Sequence, residues 1–385
     1  MNPVLAPDEP HGEGRIAAFI RDWLAARGIE ARLEEVAPGR PNVVAEIGTG
    51  PGARGGSSAG PTLVLCGHID TVGTAGMTIP PFEPRMEGGR IYGRGSFDMK
   101  GGVAAILAAA AALAREGAGA PAARPDRAVP LSGTLRLALV ADEELKSIGS
   151  DHFAARYRAD GCILAEPTGG QLIVAHKGFV WATLKTTGRA AHGSRWDLGR
   201  SAIGAMGRII TALETYDARE LRARTHPLVG PASMHCALLQ GGVGLSTYAP
   251  ECVLRIERRT LPGESPAAVL GEIRRVVSEA GETAEATLDF ARPAMVCDPD
   301  SRLARAVREA TRSVIGSAPE TAGVGYWTDA AVFAEAGIPA LLFGPSGEGA
   351  HEAMEWVDVE SVLRCAQVYA EAARRFCSRP PAPQE

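Results

Sequence analysis

Three short, continuously apolar segments constrain this chain most strongly, because such segments are typical of strands buried in a parallel sheet. They read TLVLCG (62–67), TLRLALVAD (134–142) and GCILAE (161–166). Helical patterns, with apolar residues at every third or fourth position, precede and separate them at 13–27 and 99–115. Strands that alternate with helices predict an α/β domain, with a mixed sheet and helices on both of its faces.

The pattern changes between residues 178 and 291. This stretch contains four segments in which apolar and polar residues alternate, and two amphipathic helical segments. Alternation at every second position indicates strands with one exposed face. We therefore predict a catalytic domain in two parts, residues 1–177 and 292–385, interrupted by a smaller α+β domain of four strands and two helices.

Composition argues against several classes of partner. Acidic and basic residues are interleaved with a net charge of −5 and no Lys/Arg run, so nucleic acid is not expected. A membrane is not expected either, because we find no run of 18 apolar residues. The N-terminus, MNPVLAPDEPHGEGR, lacks the order of a signal peptide, so we predict a cytoplasmic protein. The seven cysteines show no C-x-x-C spacing, so a metal site would have to use His and carboxylates.

Side chains with metal-binding chemistry follow the apolar segments. His68-x-Asp70 comes after the first, the pair Glu143-Glu144 after the second, and Glu166 closes the third. Open α/β sheets usually bind ligands at such strand ends. Each feature alone has an ordinary structural explanation, since most single histidines are not ligands and adjacent glutamates are usually solvated.

Two further segments complete the set. GRGSFDMKGG (93–102) places Asp98 in a glycine-rich turn before a helix, and GAHEAMEWV (349–357) places His351 in a loop. The first segment could instead bind phosphate, but it lacks the G-x-x-x-x-G-K-[ST] order. Two histidines and several carboxylates on loops at strand ends supply the N and O ligands that suit zinc, cobalt or manganese. Taken together, the segments predict a metal centre.

In order along the chain, these motifs resemble those of the zinc-dependent amidohydrolases and exopeptidases. That family includes acetylornithine deacetylase, succinyl-diaminopimelate desuccinylase, aminoacylase and the glutamate carboxypeptidases. The resemblance covers nearly the whole chain, including the inserted domain. Its motifs are His68-x-Asp70-x-Val72, GRGSFDMKGG, DEELKSIG (142–149), Glu166-Pro167 and Gly349-Ala350-His351-Glu352.

The resemblance implies two divalent metal ions, most simply zinc, with cobalt or manganese as alternatives. Asp98 would bridge the two ions. His68 and Glu166 would complete the shell of one ion, and Glu144 and His351 the shell of the other.

The resemblance also implies roles for two carboxylates that do not bind metal. Asp70 would hold the His68 ring by its second nitrogen. Glu143 would be the catalytic base, which takes a proton from water and returns it to the leaving amine. The turn at Asp98-Met99 resembles the cis peptide of the family.

His192, in GRAAHGS (188–194), matches the family histidine that donates to the oxyanion, usually across a dimer interface. The resemblance therefore implies a homodimer, with the inserted domain as its lid and dimerisation domain. The alternative for His192 is an ordinary loop histidine.

Two other segments supply candidates for substrate binding. Arg259, in ERRTLPGE (257–264), would bind the α-carboxylate of the substrate, although Arg258 could face the site instead. Strand alternation forbids both on one face. Asp329 would position substrate or orient a loop; alternatively, Thr328 or Asp329 caps the following helix.

We therefore predict an enzyme that hydrolyses the amide of an N-acyl amino acid, similar to acetylornithine deacetylase or succinyl-diaminopimelate desuccinylase. One alternative is a metallo-exopeptidase, resembling a dipeptidase or glutamate carboxypeptidase, that acts on a short peptide. The other is a metal-binding relative without turnover. Glu143 and Asp70 argue against the last, because binding alone requires no base.

Overall fold

The computed structural model describes residues 12–48, 60–117 and 131–377. The surface loops predicted at 48–61 and 116–130 lie almost entirely outside the described residues, as does most of the N-terminal segment considered above.

The chain forms two compact units. Unit 1 contains the described residues up to Val174, together with Cys297–Ala322 and the residues from Thr328 onward. Unit 2 contains Ala175–Val296 and the short segment Gly323–Trp327. The inserted domain predicted at 178–291 lies within the bounds of unit 2, and its role as a lid or dimerisation domain stays a prediction.

The described residues form helices and strands that alternate along unit 1 and are regrouped in unit 2. The helices are α1 (Gly14–Ala25), α2 (Gly101–Gly117), α3 (Ile148–Arg156), α4 (Ala202–Tyr216), α5 (Pro266–Glu279), α6 (Arg302–Ile315), α7 (Ala330–Glu335) and α8 (Val359–Cys377). The strands are β1 (Ala31–Ala37), β2 (Arg40–Gly48), β3 (Thr62–His68), β4 (Arg85–Glu87), β5 (Arg90–Tyr92), β6 (Thr134–Val140), β7 (Gly161–Leu164), β8 (Leu172–His176), β9 (Gly178–Thr187), β10 (Thr225–His226), β11 (Gly230–Pro231), β12 (Ser233–Gly241), β13 (Glu251–Thr260), β14 (Glu285–Arg292), β15 (Met295–Val296), β16 (Thr321–Val324), β17 (Ala340–Leu342), β18 (Gly347–Glu348) and β19 (Trp356–Asp358).

A mixed sheet runs through unit 1 in the order β1-β2-β6-β3-β7-β17-β8. The four middle strands from β6 to β17 are parallel, and the strands on either side of them are antiparallel. The three apolar segments of the sequence form β3, β6 and β7, whose residues are almost all buried. Burial on both faces explains why these strands are continuously apolar. The predicted α/β fold with a mixed sheet is confirmed.

Two groups of helices pack on this sheet. The first contains α2, α6 and α8, and the second contains α1, α3 and α7. The segment Ser96–Gly117, which includes α2, has the length and composition to cross a membrane, and no other described segment does. The sequence analysis did not expect such a segment. Because 56% of its apolar window is buried inside the protein, its hydrophobicity is that of a core helix.

Unit 2 contains a four-stranded antiparallel sheet in the order β12-β13-β9-β14, with α4 and α5 packed on it. The inward side chains of the sheet and both helices share one apolar core, which includes Leu184, Ile209, Leu254 and Ile273. The alternation seen in the sequence follows from this arrangement, because β9 and β13 bury every second side chain. β12 forms one edge of the sheet.

Candidate metal centre

The ends of the parallel strands bring the candidate ligands of unit 1 together. His68 is the last residue of β3, Glu166 follows β7 by two residues, and Glu143 and Glu144 lie in the turn after β6. Neighbouring parallel strands end at the same edge of a sheet, so residues far apart in the sequence meet there.

Asp98 lies in a wide turn, Ser96–Lys100, immediately before α2. The peptide bond between Asp98 and Met99 is cis, as the resemblance implied. The Asp98 carboxylate faces two histidines: Oδ1 lies 3.0 Å from His68 Nε2, and Oδ2 lies 3.3 Å from His351 Nε2. A carboxylate that presents one oxygen to each of two ligand groups has the placement a bridging ligand requires.

The donor atoms form two groups that share Asp98. One group consists of His68, Asp98 and Glu166, and the other of Asp98, Glu144 and His351; within each, the donor atoms lie within 4.8 Å of one another. Glu144 Oε2 is 3.1 Å from His351 Nε2, whereas Glu144 Oε1 is buried without a hydrogen-bond partner among the described residues. A buried acceptor without a partner is costly. Two imidazoles and three carboxylates in this arrangement fit two divalent cations.

The protonation of these groups reflects their burial and crowding. Burial raises the pKa of Glu166 to about 8, which the neighbouring His68 offsets only in part. Burial and the charge of Glu166 also raise the pKa of Glu143 well above its usual value. Hydrogen bonds to Asp98 and Glu144 raise the pKa of His351 to about 10. Clustered carboxylates with such shifts are typical of functional sites.

Asp70 contacts the opposite side of the His68 ring. Its Oδ1 lies 3.5 Å from His68 Nδ1, and the backbone N–H groups of Glu143 and Glu144 donate to its two oxygens over 3.3 and 3.1 Å. Asp70 belongs to neither group of metal-binding atoms. One carboxylate is therefore shared by a ligand ring and by the turn that carries Glu143.

Asp329 is buried beside the start of α7, with 1% of its surface exposed. Its Oδ2 accepts a hydrogen bond of 2.6 Å from Ser150 Oγ, in the helix that follows the Glu143 turn. The first N–H of α7, on Ala330, donates to Thr328 Oγ1 rather than to Asp329. Of the alternatives for Asp329, this geometry favours orientation of a loop, because so little of the side chain is open to a substrate.

The two arginines of the ERRTLPGE segment differ in burial, as alternation requires. Arg258 is 1% exposed and forms an ion pair of 2.7 Å with Glu264. The Arg259 side chain is 33% exposed, lies 2.8 Å from Glu257, and stands 5.6 Å from the centre of the Phe179 ring. Arg258 is therefore occupied inside unit 2, and Arg259 is the arginine that remains accessible.

His192 lies in an exposed loop of unit 2. Its Nδ1 is 2.8 Å from Ser194 Oγ, and its backbone pairs with Thr247. Its ring is thus open to solvent within this unit.

Two buried residues of unit 1, Arg94 and Glu355, were missed in the sequence. Arg94 Nη1 lies 2.7 Å from Glu355 Oε2, and both side chains are almost fully buried. The only available indication was that both residues belong to segments already selected for a ligand, Asp98 in one and His351 in the other.

The fold and this centre together define an α/β protein with two adjacent sites for divalent cations around one aspartate. The chain belongs to peptidase family M20/M25/M40, whose family model matches residues 64–375. The family resemblance seen in the motifs is confirmed.

Similar proteins include two enzymes of one name. Acetylornithine deacetylase from Vibrio vulnificus is 27% identical over 383 residues, which cover 96% of this chain and 94% of that protein. Acetylornithine deacetylase from Myxococcus xanthus is 31% identical over 335 residues, which cover 84% and 83%.

Solved structures share the fold at low sequence identity. Aminopeptidase PepT from Bacillus cereus superposes with a TM-score of 0.74 at 19% identity, covering 95% of this chain and 94% of that chain. A Bacillus subtilis protein described as a dinuclear metal-binding peptidase of the M20 family superposes with a TM-score of 0.67 at 20% identity, covering 94% and 91%.

Proposed function

We propose that this chain is a metal-dependent hydrolase that cleaves the amide bond of an N-acyl amino acid. The observation that carries this proposal is the Asp98 carboxylate, which faces His68 on one side and His351 on the other. Relatives named acetylornithine deacetylase favour a deacylase. The peptidases among the structural neighbours favour the alternative, a metallo-exopeptidase. The cytoplasmic location stays a prediction.

The ligand set would hold two divalent ions, with zinc as the first choice and cobalt or manganese as alternatives. Asp98 would bridge the ions, with His68 and Glu166 on one side and Glu144 and His351 on the other. When bound, such a pair of ions polarises the amide carbonyl and lowers the pKa of a nearby water.

Glu143 would act as the proton carrier. It would accept a proton from the attacking water and deliver it to the nitrogen of the leaving amino acid. Its raised pKa suits a group that must both take up and release a proton near neutral pH. Asp70, which accepts from the N–H groups of both Glu143 and Glu144, would fix the turn so that the two side chains serve different tasks.

A substrate panel tests the proposed reaction. We expect metal-dependent turnover of at least one N-acetyl, N-succinyl or N-formyl amino acid, loss of that turnover with a chelator, and recovery with added zinc or cobalt. Dipeptides assayed in parallel decide the alternative, since faster turnover of a dipeptide would favour the exopeptidase. If no compound is hydrolysed in a metal-dependent way, the proposal is wrong and a metal-binding protein without turnover becomes the better explanation.

Arg259 would bind the α-carboxylate of the substrate. We expect Arg259→Ala to raise KM by roughly tenfold to a hundredfold, because a hydrogen bond between charged groups contributes about 1.5–3 kcal/mol. The melting temperature should change little. The matched variant Arg258→Ala should instead lower the melting temperature, because it leaves Glu264 without its buried partner. Steady-state kinetics of both variants check this assignment, and an unchanged KM in Arg259→Ala contradicts it.

We also propose a homodimer that forms through unit 2, in which His192 would donate to the oxyanion of the partner site. The support is an exposed strand edge with a cluster of exposed apolar side chains, a combination typical of interfaces. The cluster consists of Ile203, Leu238, Leu239, Val243 and Leu245. Sedimentation equilibrium should give twice the chain mass of 40.1 kDa, and a monomeric mass at micromolar concentration would refute the dimer.

A further inference from the structure

The Glu355 carboxylate is a concentrated hydrogen-bond acceptor next to the candidate metal centre. It is fully buried, and its Oε2 accepts from Arg94 Nη1 over 2.7 Å and from the Gly95 N–H over 2.9 Å. Its Oε1 accepts from the N–H groups of Phe97 and Asp98 over 2.9 and 3.0 Å. Four donors therefore converge on one carboxylate, and three of them are backbone groups of the same turn.

The turn that Glu355 holds is the one that presents Asp98. The Asp98 N–H donates to Glu355, while the Asp98 carboxylate reaches His68 and His351. Any rotation of this backbone would move both Asp98 oxygens, so the hydrogen bond bears directly on the distances within both donor groups. The Asp98 side chain itself has no other support from Glu355, because the contact is made through the backbone.

Glu355 also joins this turn to the loop that carries His351. It lies four residues after His351, directly before β19, which pairs with β5. Its backbone oxygen accepts from the Gly93 N–H over 3.0 Å, and Arg94 Nη2 donates to Glu352 O over 3.0 Å. Side-chain and main-chain bonds thus connect the two segments that bring Asp98 and His351 to each other.

We propose that Glu355 is a positioning residue that sets the geometry of the two metal sites through the backbone of Asp98. This inference rests on the proposed function, because it concerns the ligands that would hold the ions. Groups that orient metal ligands typically contribute tenfold to a hundredfold to metal affinity. A role in packing alone would instead affect stability and leave metal binding unchanged.

The chemistry at this position requires a carboxylate. Glutamine has one acceptor oxygen, so it can serve Phe97 and Asp98 or Arg94 and Gly95, but not both pairs. Its NH2 group would then face two further donors. Aspartate keeps the charge and both oxygens but withdraws them by one methylene.

Cobalt binding to the metal-free, full-length protein tests the proposal independently of activity. Wild type, Glu355→Gln, Glu355→Asp and the matched control Glu371→Gln are titrated with Co²⁺ by calorimetry, and the visible absorbance of bound cobalt is recorded. Glu371 is also a mostly buried, ion-paired glutamate of unit 1, but it pairs with arginines of α8. Melting of the metal-free proteins reports folding separately.

We expect Glu355→Gln to bind cobalt about tenfold to a hundredfold more weakly than wild type, with an altered visible spectrum. Glu355→Asp should lie between the two, and Glu371→Gln should match wild type. Unchanged affinity and spectrum in Glu355→Gln would overturn the proposal; should that variant not fold, the same result in Glu355→Asp would overturn it. If wild type itself binds no cobalt, the proposed function fails as well, which separates the two cases.

Discussion

Glu143→Gln is expected to lower kcat by about a thousandfold while the protein keeps its metal ions, because a positioned general base contributes roughly 10²–10⁴ in rate. Glutamine matches glutamate in size but cannot accept the proton of the attacking water. Glu143 belongs to neither group of metal-binding atoms, so its replacement should leave the ligand set intact. The measurement is kcat with the best substrate of the panel, together with metal content by mass spectrometry.

Glu144→Gln is the matched control, since it makes the same change one residue further along the same turn. Because Glu144 Oε2 lies beside His351 Nε2, this variant should lose affinity for metal as well as turnover. If Glu143→Gln retains most of its activity, the assignment of the base is wrong. If it loses metal to the same extent as Glu144→Gln, the two roles are not separate.

Asp98→Asn is expected to have the largest effect on metal binding, because Asp98 is the one residue that both donor groups contain. The amide keeps one oxygen and replaces the other with an NH2 group, which cannot serve as a metal ligand. We expect the protein to change from two bound ions to at most one weakly bound ion, with activity lost. Titration of the metal-free protein with zinc measures both effects.

Asp70→Asn provides the comparison for this prediction. Asp70 touches the His68 ring but belongs to neither donor group, so its replacement should weaken metal affinity by about tenfold to a hundredfold without abolishing the two sites. Equal losses in Asp98→Asn and Asp70→Asn would contradict the distinction between a ligand and the group that orients it.

The sheet of unit 1 and most of the candidate ligands could be predicted because each depends on short-range sequence features. β3, β6 and β7 must be continuously apolar, since they are buried on both faces. His68 and Glu166 then stand out as polar residues at the ends of such strands. The alternation of β13 correctly restricted the choice to one of Arg258 and Arg259, and burial was needed to decide between them.

Other features could not be predicted because they depend on contacts between distant segments. The strands β4, β5, β18 and β19 are two or three residues long, too short for any periodic pattern. Glu355 gains its meaning only from pairing with a turn that lies more than 250 residues earlier in the chain. The burial of Asp329 likewise arises from its contact with Ser150, 179 residues away.

The central claim is that two ions held around Asp98 support amide hydrolysis by this chain. It is tested most directly by adding zinc stepwise to the metal-free protein while turnover of an N-acyl amino acid is measured. We predict no turnover without metal and a rise that levels off at about two zinc ions per chain. Full turnover in the metal-free protein, or no turnover at any level of zinc, cobalt or manganese, would contradict the claim.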